Sequence, residues 1–214
     1  MPSPPAARHG GLARGEMVPF IPRAASTVLD VGCSRGLFGT TLTAARPDLR
    51  MFGIEPDPAT AEEAAAHYEQ VTCGFFPDDL PDGGTYDCIV FNDVLEHVVD
   101  PWSMLDRAKE RLAPGGRIVA SIPNVRHYIV VRNLALQGRW DYADWGVLDR
   151  THLRFFTRAS IEDLFESADM AIETLAPINP IKVRRAAFLV GPFRDMRYTQ
   201  FAVVARPRST TSDV

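Results

Sequence analysis

Residues 27–39 read TVLDVGCSRGLFG, and the order of residue types in this stretch decides the fold. Thr27 to Val31 is a short apolar run. Gly32-Cys33-Ser34-Arg35-Gly36 follows at once, after which Phe38, Thr41, Leu42 and Ala45 recur at helical spacing until Pro47 stops the pattern. A strand that passes through glycines straight into a helix opens a parallel α/β sheet, and such sheets bind ligands at the carboxyl ends of their strands. Glycines at 32, 36 and 39 permit a tight turn and a close backbone approach. Their spacing narrows the ligand. A GxGxxG dinucleotide fingerprint needs glycine where Ser34 stands, and a P-loop needs a Lys followed by Ser or Thr; both are missing. The competing reading is a plain strand-to-helix turn that binds nothing. Glu55 argues against it, because an acid at the end of the second strand can accept both hydroxyl protons of a ribose. Its alternative role is a charge favourable beside a helix amino terminus. Loop and acid together point to a nucleoside-containing ligand.

The alternation continues outward. Met51 to Ile54 predicts a second strand. Asp57-Pro58 then caps and opens an alanine-rich helix. Val71 to Phe76 predicts a third strand, Asp82-Gly83-Gly84 a turn, and Asp87 to Asn92 a fourth strand. Asp100-Pro101 repeats the cap-and-proline signal before a helix with Trp102, Leu105, Ala108 and Leu112 on one face. Pro114-Gly115-Gly116 breaks that helix, and Arg117 to Ile122 predicts a fifth strand. Strands separated by helices imply right-handed crossovers and a parallel sheet. Met170 to Leu175 and Thr199 to Ala205 predict two final strands joined by a long hairpin. The expected organisation is one domain over 12–206, with a lid-like insertion at about 125–158 and loose ends at 1–11 and 207–214. No internal repeat is evident.

At 214 residues and 46% hydrophobic content, the chain can bury a full core without staples. Cys33, Cys73 and Cys88 are odd in number and lack CxxC spacing, which argues against a disulfide framework and a structural zinc. No eighteen-residue apolar run exists and the first residues lack a secretory signal, so the expectation is a cytoplasmic protein with no membrane partner. Net charge is −4, unevenly spread. From Ala176 onward seven basic residues face Asp195 and Asp213, a local +5 that leaves −9 on the rest. Without an extended basic stretch, nucleic acid is not the expected partner.

The successive segments VLDVGCSRG, Ile54-Glu55-Pro56-Asp57, FNDVLEHVVDP and LAPGGRIVASIPN resemble, in order and spacing, the motifs of class I S-adenosylmethionine-dependent methyltransferases from about Thr27 to Asn124. GRWDYADWGVLDRTHLRFFT resembles one bacterial subgroup, the small-molecule and glycan methyltransferases related to the ubiquinone-biosynthesis O-methyltransferases. The resemblance implies a Rossmann-like, seven-stranded, mostly parallel sheet with helices on both faces and an antiparallel last strand. It implies S-adenosylmethionine as cofactor, with Asp30, Gly32, Cys33, Ser34 and Gly36 along its methionine and ribose part. Glu55 would take the ribose hydroxyls and Pro56 would border the adenine. Asn92 and Asp93 would lie beneath the sulfonium and amino-acid end. Two departures stand out. Ser34 replaces the usual glycine, and Gly74-Phe75-Phe76 stands where an acid often meets the adenine amine, with Asp78 and Asp79 beyond. Phe75 or Phe76 would then hold adenine by ring contact, or simply pack in the core.

Methyl transfer from a sulfonium is an in-line displacement that needs alignment and, for a hydroxyl acceptor, a base. Of five histidines, His9 falls in the loose amino terminus and His67 on the alanine-rich helix. His97 and His127 remain, together with His152 in Asp149-Arg150-Thr151-His152-Leu153-Arg154. His152 is the expected catalytic base, because its motif lies in the region that covers the acceptor in similar enzymes; the alternative is a loop-tying structural histidine. Asp93-x-x-Glu96-His97 resembles the Glu-x-x-Glu-His metal motif of ubiquinone-pathway methyltransferases, and His152-Leu153-Arg154-Phe155 loosely matches a second ligand segment of small-RNA methyltransferases. The shorter Asp93 makes a metal-free enzyme the expectation. Trp140, Tyr142 and Trp145 would wall a pocket or pack a flap. Arg126, Arg150 and Arg154, with Arg184 and Arg185, would favour an anionic acceptor if they are not paired with local acids. The expected activity is methyl transfer to oxygen of a small molecule or sugar. A cofactor-binding protein without transfer and a nicotinamide oxidoreductase are the alternatives.

Overall fold

The computed structural model describes residues 12–180 and 190–208. A 3-10 turn, Gly15–Phe20, precedes β1 (Thr27–Val31), α1 (Leu37–Ala45), β2 (Arg50–Glu55), α2 (Pro58–Ala64), β3 (Gln70–Cys73) and β4 (Tyr86–Asn92). Then come α3 (Pro101–Lys109), β5 (Leu112–Pro123), α4 (Tyr128–Gln137), α5 (Arg158–Ser167), β6 (Met170–Pro180), a second 3-10 segment, Gly191–Arg197, and β7 (Tyr198–Pro207). The strands form one sheet in the order β3-β2-β1-β4-β5-β7-β6. β1 runs parallel to β2 and β4, and β2 parallel to β3. β7 is antiparallel to both β5 and β6. The Rossmann-like, mostly parallel sheet with an antiparallel last strand is therefore present.

The chain divides into two compact units. One takes Met1–Asn92 and Glu110–Arg117, the other Asp93–Lys109 and Ile118–Val214. In the first, β1 and β4 are buried at nearly every position. That pattern belongs to parallel strands covered on both faces, and it explains why these segments read as apolar runs rather than alternations. Val28, Leu29, Leu42, Ile54, Ile89 and Phe91 fill this core, and each side chain of this size contributes about 1.5–3 kcal/mol on burial. Asp87 ties the amino ends of β1 and β4 by accepting the Ser26 and Thr27 N–H groups, both at 2.9 Å. Asp57 caps α2 as its sequence signal predicts, accepting from Thr60 N at 2.9 Å.

In the second unit, α5 buries Ile161, Leu164 and Phe165, a one-sided helical stripe. Thr157 and Ser160 close a reciprocal capping box at its start. Phe201 through Ala205 on β7 are all buried.

Several sequence expectations need correction. Leu112 is not on α3. It begins β5, which runs back through Pro114-Gly115-Gly116, with Gly115 at φ 80° accommodating the bend. The third strand ends at Cys73 rather than Phe76, because Gly74 and Phe75 turn under Asp79. β7 extends through Pro207, the first residue of the expected loose end.

Candidate functional site

In the first unit, the loop between β1 and α1 carries three left-handed residues within five positions: Gly32 (φ 69°), Ser34 (φ 48°) and Gly36 (φ 79°). Glu55, at the end of β2, holds this loop. Its Oε2 accepts the Ser34 N–H at 2.9 Å and its Oε1 accepts the Asp57 N–H at 3.1 Å. A carboxylate oxygen has two lone pairs, so each oxygen of Glu55 keeps capacity for one further hydroxyl. Ser34 therefore fills the usual glycine position at the strain cost of a left-handed serine, while its N–H anchors the acid.

Under the loop lies a buried relay that sequence reading did not find. Tyr68 OH accepts the Gly39 N–H at 3.1 Å and donates to Asp30 Oδ2 at 2.6 Å. A Cβ on Gly39 would lie 2.5 Å from the Tyr68 ring, so glycine is required there by contact rather than by turn geometry. Burial, partly offset by the Tyr68 hydrogen bond and reinforced by the Glu55 charge, pushes the Asp30 carboxyl up to about 7. Burial likewise pushes the Cys33 thiol well above its ordinary range. Cys33 Sγ rests against Gly53, where a Cβ would approach within 2.7 Å. Its carbonyl accepts Gly36 N at 2.9 Å. Of the residues expected along the cofactor, Cys33 therefore turns its side chain into the core and shapes the loop from below.

Phe75 and Phe76 separate. Phe76 is buried, edge-on to Phe91 at 5.7 Å. Phe75 is 67% exposed, and its N–H donates to Asp79 Oδ2 at 2.7 Å. Pro56 is exposed beside Glu55. At the end of β4, both amide atoms of the Asn92 side chain are buried and hydrogen-bond to nothing among the described residues. A buried amide without partners is costly.

In the second unit, Asp93 stands at φ 54°. Its Oδ1 accepts from Ser121 Oγ at 3.1 Å and from Gln200 Nε2 at 2.6 Å. Asp93 is thereby absent from the group formed by Glu96, His97 and His152, whose ligand atoms all lie within 4.8 Å of one another. Glu96 is fully buried, and its carbonyl accepts the N–H groups of Leu153 and Arg154, which brings the two sequence segments together. His152 Nδ1 lies 3.1 Å from the Val147 carbonyl and its Nε2 lies 3.9 Å from Glu96 Oε1. That carbonyl can only accept, so Nδ1 carries a proton, and Nε2 faces the Glu96 carboxylate. His97 packs edge-on against His152 at 4.7 Å. A buried carboxylate and two imidazoles form a donor set that fits a divalent cation.

Phe155 adjoins this group, 6.3 Å from His152, and carries Trp140 at 5.2 Å and Tyr142 at 6.4 Å. Trp145 is 79% exposed. The arginines expected to attract an anion are engaged within the protein. Arg126 pairs with Asp195 at 2.6 Å and Arg150 with Asp144 at 2.7 Å, while Arg154 donates to the Val99 carbonyl and lies over Trp102. Arg184 and Arg185 lie outside the described residues, as does His9. His127, buried at the start of α4, is held neutral near pH 7 by burial.

The family model for a methyltransferase domain matches residues 11–175. The chain belongs to this methyltransferase family. Among curated relatives of this methyltransferase domain, the ubiquinone biosynthesis O-methyltransferase of Methylobacterium sp. (strain 4-46) is 33% identical over 56% of this chain and 48% of its own length. That of Azorhizobium caulinodans is 29% identical over 87% of this chain and 73% of its own. The matched part spans less than half of several such relatives, 31–48% of their lengths. Among solved structures, a SAM-dependent methyltransferase from Thermotoga maritima superposes with a TM-score of 0.62 at 18% identity, covering 89% of this chain and 86% of that one. The plantazolicin methyltransferase in complex with SAH gives 0.62 at 14% identity, covering 92% and 82%. At these identities the two structures establish the shared fold. No helix among the described residues is long and apolar enough to cross a membrane.

Proposed function

We propose that this methyltransferase domain transfers the methyl group of S-adenosylmethionine to a hydroxyl oxygen of a small-molecule or sugar acceptor. The observation that carries this reading is the Glu55 carboxylate, fixed by two backbone N–H groups beside a left-handed glycine loop and retaining one acceptor site on each oxygen for a ribose diol. Family membership and relatives named as O-methyltransferases support the same reaction.

When bound, the cofactor supplies an activated methyl group. The chain's own part would be to hold the acceptor oxygen in line with that methyl group and to exclude water. Such alignment contributes roughly 7–11 kcal/mol in favourable systems. The loop from Gly32 to Gly36, Glu55, Pro56, exposed Phe75 and the unpartnered Asn92 amide are the proposed cofactor contacts. Asp30 and Phe76 support them from the core. The acceptor's proton passes to His152 Nε2. Val147 fixes that ring's orientation, and Glu96 at 3.9 Å compensates the imidazolium.

A second reading is favoured by the cluster itself. Glu96, His97 and His152 would hold a divalent cation that polarises the acceptor hydroxyl as a Lewis acid. Labelled S-adenosylmethionine with a panel of phenolic and sugar acceptors tests both readings. His152→Ala should lower turnover on the order of 10²-fold or more while leaving adenosylhomocysteine affinity unchanged. Full activity in that variant would remove His152 as base. EDTA without effect supports the base; loss of activity restored by Mg²⁺, Mn²⁺ or Zn²⁺ supports the cation.

A further inference from the structure

Tyr68 sits in the turn between α2 and β3, and its backbone is held on both sides. The His67 N–H donates to the Ala64 carbonyl at 2.8 Å and the Glu69 N–H to the Met51 carbonyl at 2.8 Å. From there the ring lies against Gly36 and Gly39, where an added Cβ would meet it at 3.0 Å and 2.5 Å. The hydroxyl accepts the Gly39 N–H at 3.1 Å and donates to Asp30 Oδ2 at 2.6 Å. Gly39 is the third residue of α1, and its N–H is one that a serine or aspartate cap ordinarily satisfies. The cap of α1 is Gly36, left-handed at φ 79° and without a side chain. Tyr68 supplies the acceptor from beneath, 29 residues away in sequence, so the loop needs no capping side chain of its own on the ligand side.

The same hydroxyl bears on charge. Asp30 is buried, and the titratable groups around it are Tyr68, Glu55 from β2, Cys33 from the loop and Cys88 from β4, all of them acids. Burial disfavours the Asp30 carboxylate, the Tyr68 hydrogen bond favours it, and Glu55 works against it. Burial keeps Tyr68 itself protonated, so it remains a donor. A carboxylate beneath the loop complements the ammonium and sulfonium of S-adenosylmethionine, and a neutral acid does not. We propose that Tyr68 is a positioning residue for cofactor binding: its hydroxyl caps α1 and holds the Asp30 carboxylate beneath the Gly32–Gly36 loop, so that loop shape and local charge together suit a cationic cofactor. This rests on the cofactor reading above, and every residue it uses lies in the first unit.

Calorimetric titration with adenosylhomocysteine, which keeps the ammonium, tests it from about pH 5.5 to about pH 8.5. Wild-type affinity should rise with pH through about 7 as Asp30 ionises. Tyr68→Phe keeps the ring under both glycines and removes the hydroxyl. It should weaken binding roughly two- to tenfold at neutral pH, the loss of one hydrogen bond, and move the midpoint of the profile to higher pH. Asp30→Asn should bind with a flat profile. A merely structural Tyr68 would lower affinity by one factor at every pH, and that result overturns the proposal. So does unchanged binding in Tyr68→Phe, a flat wild-type profile, or a slope that persists in Asp30→Asn and so belongs to another group such as His67, which lies beside Gly36. If Tyr68→Phe fails to fold, monofluorotyrosine incorporated at position 68 gives a stronger donor of nearly the same size. The midpoint should then move to lower pH, and an unmoved midpoint overturns the proposal. If wild-type protein binds no adenosylhomocysteine at any pH, the cofactor reading itself fails, which is a separate outcome.

Discussion

Asp30→Asn isolates the energetics of the buried acid beneath the glycine loop. Asp30 is 2% exposed and accepts the Tyr68 hydroxyl at 2.6 Å. Burial raises its carboxyl from an ordinary 3.8 to about 7, the Tyr68 hydrogen bond opposing and Glu55 adding to the rise. The folded protein therefore holds this proton more tightly than the unfolded chain does. The resulting stabilisation is fully present below the unfolded pKa near 3.8 and is lost as pH climbs through about 7. A separation of about three pH units at roughly 1.36 kcal/mol each gives a change of about 4 kcal/mol across that window. Asparagine cannot ionise and keeps an oxygen for the Tyr68 hydroxyl, so the variant lacks this dependence. Urea unfolding of both proteins from about pH 4 to about pH 8 should show wild type losing on the order of 4 kcal/mol relative to Asp30→Asn, most of it before pH 7. A stability difference that stays constant with pH would refute the buried, desolvated carboxyl.

Other outcomes follow from the same loop. Glu55→Ala should weaken adenosylhomocysteine binding by about 1.5–3 kcal/mol through lost hydrogen bonds to a charged acceptor, and calorimetry showing unchanged affinity would remove Glu55 from the ribose site. Gly39→Ala places a methyl 2.5 Å from the Tyr68 ring and should cost about 1–3 kcal/mol in thermal or urea unfolding. Ser34→Gly relieves a left-handed serine and should change stability by less than about 1 kcal/mol, with cofactor affinity retained because the N–H to Glu55 survives; a large loss of affinity would assign the Ser34 hydroxyl a direct role.

The first strand, the Asp57 cap and the acid at Glu55 were legible because each is a local pattern with its own physical cause. Leu112 misled because its spacing continues the α3 stripe, and only pairing within the sheet moves it into β5. Phe75 and Phe76 are indistinguishable as neighbours in sequence; the turn under Asp79 decides which one is exposed. Asp93 belonged to a four-residue motif on paper, yet Ser121 and Gln200, 28 and 107 positions away, draw it out of the Glu96–His97–His152 group. Tyr68 carried no signal at all, since its hydroxyl matters only once β1 and α1 meet it. The arginines near the expected mouth were legible as charge but not as pairs, because their partners Asp195, Asp144 and the Val99 carbonyl are set by the fold.

The contact between Gly39 and Tyr68 has an evolutionary corollary. Tyrosine at 68 occupies the volume that any side chain at 39 would need, and the same hydroxyl supports Asp30. Drift at one of these three sites costs stability unless another changes with it, so relatives with a larger residue at 39 should have a smaller one at 68 and a different neighbour for the acid.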